Sequence, residues 1–315
     1  MVASQTAVII DCDPGVDDAI ALLLALASPE LQVLGVTTVA GNVSLQQTQT
    51  NARRICELAA RSDIPVYAGC PRPLMRPLET AEMVHGATGL GNISLPNPKM
   101  PLRVQHGVDF LIDTLLQAPQ PLTLATLGPL TNVAVAIVKE PRIVPKIREL
   151  VLMGGAITQG NVTPSAEFNL YTDPHAAQIV FTAGMPLTMV SLDVTHRAIA
   201  TPARIDGIRS INTPIGELVA TLLTQYDSHS REKYRFSGPP LHDPCVIAYL
   251  IHPKLFQART CFVEVETMSD KTLGRTIVDW WGVSGKTAQV KVLTNIDSDG
   301  FYRTLTERLA RLVST

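Results

Sequence analysis

The chain has 315 residues, 46% of them hydrophobic and 17% charged, with a formal net charge of −2. That is enough apolar material for a large core, and the near-neutral balance argues against a nucleic-acid polyanion or an anionic membrane as principal partner. Cys12, Cys56, Cys70, Cys245 and Cys261 include no CxxC pair, the N-terminus has no basic leader, and no apolar run is long enough to span a bilayer, so a soluble cytoplasmic protein with reduced thiols is expected.

The apolar run at 7–10 predicts a first strand. It leads into Asp11-Cys12-Asp13-Pro14-Gly15-Val16-Asp17-Asp18, where four carboxylates crowd into one short segment. The Pro-Gly turn then enters a strongly helix-forming stretch at 19–27. Acids at the carboxyl end of a strand and in the first turn of the next helix lie where open α/β sheets bind ligands. Like charges at this density repel unless a cation or a hydrogen-bonding ligand sits among them. A helix cap needs one carboxylate and not four, so the cluster is a candidate site for a hard divalent metal. Successive helical residues point about 100° apart, so Asp17 and Asp18 are expected to do different jobs, one on the metal and one on a neighbouring hydroxyl. Asp13 would reach the metal from the strand end.

Further along, 31–39 reads as a strand, 45–60 as an amphipathic helix and 66–68 as a short strand. The segment 70–101 is rich in Pro, Gly, Met and polar residues, carries His85 beside Gly86, and reads as a long functional loop. On these residues alone, His85 is as well explained by a surface position as by ligand contact. Helix patterns follow at 107–117, 132–138 and 174–183, with strand patterns at 122–127, 149–153 and 187–192. After Thr195 the chain turns more helical, at 214–228 and 244–250. Strands are expected at 261–266 and 288–293, with a last helix at 301–312. This alternation predicts one α/β domain over residues 1–315, an open and mostly parallel sheet with helices on both faces.

Two Asp-Pro pairs stand out. Proline at a first helical position makes the preceding aspartate a cap, which is how Asp173-Pro174 reads. In Pro240-Leu241-His242-Asp243-Pro244 the same geometry would place the Asp243 carboxylate outside its helix. Here His242 adjoins it, with Tyr226, Arg231 and Tyr234 upstream. Gly41-Asn42, Gly160-Asn161 and Glu167-Phe168-Asn169 each follow a predicted strand. Singly they are turn residues; together they offer directional groups suited to sugar hydroxyls. Trp280-Trp281 reads as packing.

These segments together resemble the inosine-uridine nucleoside hydrolase family. DCDPGVDDA, TTVAGN ending at Asn42, HGATG at His85, LGPLTN, VLMGGA, GNVTPSAEFN, LDVTH and LHDPC occur in family order over nearly the whole chain. The resemblance implies a Rossmann-like open α/β fold that hydrolyses the N-glycosidic bond of ribonucleosides. It implies a single Ca²⁺ held by Asp13, Asp18, Asp243 and the main-chain oxygen of Leu127, where many relatives carry threonine. Asp17, Asn42 and Asp243 would take the ribose 2′- and 3′-hydroxyls. Asn161, Glu167 and Asn169 would take the 5′ side, with Met153 along the sugar. Asp13 would act as general base, and His242 would assist the departing base.

The spacing of Tyr234 and His242, with Arg231 nearby, looks similar to pyrimidine-preferring members, and His85 is carried over as a substrate contact. Uridine and cytidine are the expected substrates; inosine or a modified ribonucleoside is the alternative. A homodimer or homotetramer is expected from the family's habits. Two rival readings are weaker. A haloacid-dehalogenase-like phosphohydrolase with Asp11 as nucleophile would need threonine or valine where Gly15 stands. A non-catalytic nucleoside sensor would not need to retain both Asp13 and His242.

Overall fold

The computed structural model describes residues 5–312; at 227–234 it describes the course of the backbone and not the side chains. Strand β1 (Thr6–Cys12) feeds through the Pro-Gly turn into helix α1 (Val16–Leu26), followed by β2 (Leu31–Thr38), α2 (Leu45–Leu58) and β3 (Val66–Ala68). The long loop contains one short helix, α3 (Glu82–His85), before α4 (Gly107–Gln117), β4 (Leu122–Thr126) and α5 (Thr131–Lys139). Next come β5 (Ile147–Met153), α6 (Phe168–Thr172), α7 (Pro174–Thr182) and β6 (Leu187–Val190). Helices α8 (Leu192–Thr195), α9 (Pro202–Arg209), α10 (Pro214–Tyr234) and α11 (Pro244–Ile251) precede β7 (Phe256–Val265), β8 (Thr276–Asp279), β9 (Val290–Ile296) and α12 (Ser298–Leu309).

The strands form one nine-stranded sheet in the order β3-β2-β1-β4-β5-β6-β9-β7-β8. All pairings from β3 across to β9 are parallel, and β7 runs antiparallel to both β9 and β8. The expected mostly parallel sheet is present, with a small antiparallel edge. The chain builds outward from β1 to β3, then returns to the other side of β1 with β4. That reversal is a topological switch point, and the crevice beyond the carboxyl ends of β1 and β4 is where such a sheet leaves room for a ligand. Asp11 pairs with Thr126 in register there, so Asp13 and Leu127 emerge side by side just beyond the strand ends.

Each face of the sheet is covered. Val8, Ile10 and Cys12 of β1 point into a core shared with α1, α10, α11 and α12, while Ile9 points into a second core shared with α4, α5 and α7. This is the two-residue alternation of a strand buried on both sides. Every residue of α1 is buried, which explains why, beyond Asp17 and Asp18, its sequence is apolar all round and not amphipathic. By contrast α2 buries only one stripe, including Ala52, Ile55 and Cys56. All five cysteines are free thiols. No helix among the described residues is long and apolar enough to cross a membrane.

The second half of the chain differs most from the sequence expectation. The strand expected to reach residue 192 stops at Val190, where Ser191 opens the short helix α8. Helix α9, capped by Thr201 with Pro202 in its first turn, and strand β8 were not foreseen. Both are short, and their apolar content is too low for periodicity to show. Trp280 packs partly buried against the second core, but Trp281 is 80% exposed, so the pair is not packing throughout.

The two Asp-Pro pairs separate cleanly. Asp173 caps α7, accepting from the Ala176 amide at 3.0 Å, and also accepts from Leu74 N at 2.9 Å and Thr131 Oγ1 at 2.7 Å. It ties the start of the long loop to α5 and α7. Asp173→Ala should therefore lower stability by about 2 kcal/mol, the cost of one cap plus stranded partners. Urea unfolding of the purified variant measures this, and an unchanged midpoint would remove Asp173 from the structural account.

Candidate active site

Four carboxylates meet at the switch point. Asp11, Asp13, Asp17, Asp18 and Asp243 are all buried, and all but Asp11 belong to one interacting group. Carboxylate oxygens of Asp17, Asp18 and Asp243 lie within 4.8 Å of one another. Helical spacing led to the expectation of separate jobs for Asp17 and Asp18. Both side chains nonetheless reach one acidic cluster, joined by Asp243 from the turn before α11, and proximity alone does not assign the same job to each. Asp243 directly precedes Pro244 as expected, yet its side chain makes no cap hydrogen bond; the carboxylate turns into the cluster instead.

The backbone supports this arrangement locally. Asp18 Oδ1 accepts from Asp13 N at 3.1 Å, and its Oδ2 accepts from Gly15 N at 2.9 Å, closing the turn like a capping box. Asn42, just beyond β2, donates its backbone N–H to Asp13 Oδ2 at 2.7 Å and its side-chain amide to Asp18 Oδ2 at 3.0 Å. The other oxygen of Asp13, Oδ1, is buried with no hydrogen-bond partner. Gly41 and Gly128 flank this carboxylate so tightly that a Cβ on either would lie 2.1 Å from Oδ2 or 2.3 Å from Oδ1. Only glycine allows both loops to approach it.

The electrostatics follow from burial. Desolvation, followed by repulsion from Asp18, pushes Asp13 well above the usual carboxylate range and Asp17 up to about 7. Asp243 is likewise raised well above it by burial and then by Asp17, Asp18 and Asp13. Asp18 is raised by burial, against amide donors from Gly15 and Asp13 that favour its charge. Carboxylate oxygens of Asp18 and Asp243 lie within 4.8 Å of each other, a proximity that two charged carboxylates tolerate best with a proton or a cation between them. Among the described residues lining the cavity there is no lysine or arginine. An all-oxygen, multiply anionic donor set with one orphaned buried oxygen fits a hard divalent cation.

Above the acids lies a cavity of about 220 Å³. Its lining contains Asp17, Asn42, His85, Leu127, Met153, Asn161, Glu167, Asn169, His242 and Asp243, so these sequence-predicted residues are brought together. Asp13 and Asp18 are fully buried and do not form part of its lining. Arg231 and Tyr234 fall on α10 where side chains lie outside the described residues.

On one wall, Asn169 donates to the Leu127 carbonyl at 2.7 Å and to the Met153 carbonyl at 3.2 Å. Glu167 caps α6, accepting from Asn169 N at 2.8 Å, and also takes Gly155 N at 3.0 Å; burial holds it at about 7 despite these donors. Asn161 accepts from Phe168 N at 2.9 Å and so braces the same turn. Opposite, His85 Nδ1 accepts from Val16 N at 3.1 Å, which pins α3 and the long loop onto the start of α1. Asp17 lies 3.9 Å from that nitrogen, but its lone pair is already engaged by the amide, so the contact is not an ion pair. His242 is partly exposed on the wall, with Nδ1 2.7 Å from Thr195 Oγ1. Burial, then the His196 and His85 rings, hold its pKa well below the usual histidine value.

Several cavity residues were not singled out from sequence. Thr80, Ala81, Met83 and Val84 come from the long loop, and Val162 and Pro240 complete the rim. They are small or apolar, so no chemistry marks them. Thr195 and Asn132 support the site from behind. Asn132 donates to Asp11 Oδ1 at 2.7 Å and accepts from Cys70 N at 2.7 Å, linking β1 to the root of the long loop. Both lie in segments that carried the family resemblance, and neither spacing nor residue type marked their role.

Known proteins resemble this chain over nearly its whole length. The profile of the inosine-uridine preferring nucleoside hydrolases matches residues 8–303. A pyrimidine-specific ribonucleoside hydrolase, RihA, of Shewanella sp. (strain ANA-3) is 48% identical over 304 residues, covering 96% of each chain. A purine-preferring ribonucleoside hydrolase from Gardnerella vaginalis superposes with a TM-score of 0.91 at 32% identity, covering 98% of this chain and 99% of its own. A plant nucleoside hydrolase, PpNRh1, also superposes at 0.91, with 34% identity over 97% of this chain and 99% of its own. With the acid cluster at the switch point and sequence similarity running through both halves of the site, the chain belongs to the inosine-uridine preferring nucleoside hydrolase family and is a glycosidase.

Proposed function

We propose that this nucleoside hydrolase is Ca²⁺-dependent and favours pyrimidine ribonucleosides, releasing ribose and the free base. The observation that carries the reading is the convergence of Asp17, Asp18 and Asp243 beside the orphaned Oδ1 of Asp13, at the floor of a cavity whose wall holds His242. Asp13, Asp18, Asp243 and the Leu127 carbonyl would hold the ion. Calcium tolerates a high, irregular oxygen coordination of this kind, and when bound supplies positive charge that offsets the buried acids and favours deprotonation of nearby water.

The chain's own groups then divide the work. Asp13 is pinned through Oδ2 by the Asn42 amide, leaving Oδ1 to take the proton of the water that attacks C1′. The ribose reaches oxocarbenium character as the glycosidic bond lengthens. Asp17, Asn42 and Asp243 hold the 2′- and 3′-hydroxyls, so binding energy is used to orient C1′ over Asp13. Asn161, Glu167 and Asn169 take the 5′ side, and Met153 lies along the sugar. His242 faces the departing base and His85 contacts it from the long loop, with Arg231 and Tyr234 assigned to the same end. The pyrimidine preference is supported by the greater identity to the relatives named pyrimidine-specific than to the purine-preferring neighbour. The enzyme would work in the cytoplasm as a homodimer or homotetramer.

Ribose release from uridine, cytidine, inosine and adenosine tests the reading directly. EDTA-treated protein should be inactive, Ca²⁺ should restore it, and the two pyrimidines should be the better substrates. Activity undiminished by chelation, or a purine ranking first, would overturn the corresponding part. Asp13→Asn should lower kcat by about a thousandfold. Because it removes one buried like charge, it should also raise the melting temperature of metal-free protein. Near-normal turnover would dismiss Asp13 as the base.

The pH dependence of metal-free stability has a definite sign. A carboxyl whose pKa is about 7 when folded and near 4 when unfolded binds more protons in the native state between those values. Stability contributed by the neutral acid is therefore lost as pH rises through that window. Metal-free protein should melt at a higher temperature at pH 5 than at pH 8, and added Ca²⁺ should raise the melting temperature more at pH 8. Differential scanning fluorimetry at the two values decides it.

A further inference from the structure

Thr195 ends the four-residue helix α8, directly after β6, with its side chain fully buried. Its hydroxyl has one polar partner among the described residues, His242 Nδ1 at 2.7 Å. A hydroxyl and a ring nitrogen can share a proton in two ways. If Nδ1 were the donor, the Thr195 O–H would be left without an acceptor among the described residues. A doubly protonated ring meets the same obstacle, since its Nδ1 is a donor too. The arrangement that satisfies both groups is Thr195 O–H donating to a bare Nδ1, which places the ring proton on Nε2. Nε2 makes no hydrogen bond to a described residue and belongs to the partly exposed side of the ring on the cavity wall.

We infer that Thr195 is a positioning residue that holds His242 as the Nε2–H tautomer, so that the departing base receives a hydrogen bond from Nε2. The inference rests on the nucleoside-hydrolase reading of the cavity. The base leaves carrying the electron pair of the glycosidic bond, stabilised by the Nε2–H donor. His196 and Phe236 support the arrangement by packing: the His196 ring lies 5.7 Å from His242 and 5.2 Å from Phe236, both edge-on. They hold the imidazole plane while Thr195 sets its proton.

Two measurements test this on full-length protein with Ca²⁺ supplied. In ¹⁵N-histidine spectra of the unaltered enzyme, with His242→Gln used only for assignment, Nδ1 of His242 should be unprotonated and Nε2 protonated. A protonated Nδ1 overturns the inference. In kinetics, Thr195→Val should lower kcat/KM for uridine by about tenfold, the worth of one oriented hydrogen bond. It should leave a 4-nitrophenyl riboside, whose leaving group needs no help, within about twofold. Thr195→Ser should recover most of the loss on uridine. Equal losses on both substrates, or no recovery with serine, would mean that Thr195 only supports packing. If the unaltered enzyme cleaves the nitrophenyl riboside but no natural ribonucleoside, the substrate reading fails, while the tautomer measurement still decides the role of Thr195. The same spectrum decides it should the valine variant not fold.

Discussion

Mutual repulsion among buried carboxylates is the constraint on which the site depends. Asp13, Asp17, Asp18 and Asp243 come from the end of β1, the first turn of α1 and the turn before α11, and all four are buried, with Asp17 and Asp243 facing the cavity. A charge group of this kind is costly on its own. The fold tolerates it by surrounding the acids with amide donors from Asp13, Gly15 and Asn42, and by leaving one oxygen of Asp13 unsatisfied. Cost and function are the same feature: a set of acids that disfavours its own ionisation is a set that gains from a cation. The two apolar cores on either side of the sheet supply the stability that lets the strain persist at one point.

Topology decides where that point lies. The reversal of strand order at β1 and β4 opens a crevice at their carboxyl ends, and the first turn of α1 stands over it. Helix α11 lies against α1 and brings His242 and Asp243 to the same crevice from a distant part of the chain. Asp173 and Asp243 show how much this matters. Both precede a helix-opening proline, but Asp173 faces its own helix and satisfies three donors, while Asp243 faces the acids and caps nothing. Local sequence is alike in the two cases, and surroundings assign opposite roles.

A similar layering appears around the cavity walls. Glu167 and Asn161 spend hydrogen bonds on the backbone of the turn that carries them, and Asn169 on the carbonyls beyond β4 and at the end of β5, so the groups that would meet a sugar are held in place before one arrives. Asn132 and Thr195 stand one step further back. Asn132 joins Asp11 of β1 to the root of the long loop, and Thr195 Oγ1 pairs with Nδ1 of the His242 ring on the cavity wall. The mobile-looking composition of the long loop is thus anchored at both functional ends, by Asp173 and Asn132 at its root and by the His85 contact to Val16 at its tip.

Much of this was legible in the sequence, for physical reasons. Alternating strand and helix periods specify a parallel sheet covered on both faces, and four acids around a Pro-Gly turn announce a cation site, because both signals are local in the chain. The resemblance of the motifs extended this to named site residues. What only the tertiary structure decided depends on contacts between distant segments. These include the meeting of Asp243 with Asp17 and Asp18, the turning of Asp243 away from its cap, the orphaned Asp13 oxygen, and the pairing of Thr195 with His242. Short elements such as α8, α9 and β8 were missed for the same reason, since they owe their existence to packing and not to their own pattern. Local chemistry determines which groups are present; long-range packing determines which of them face one another.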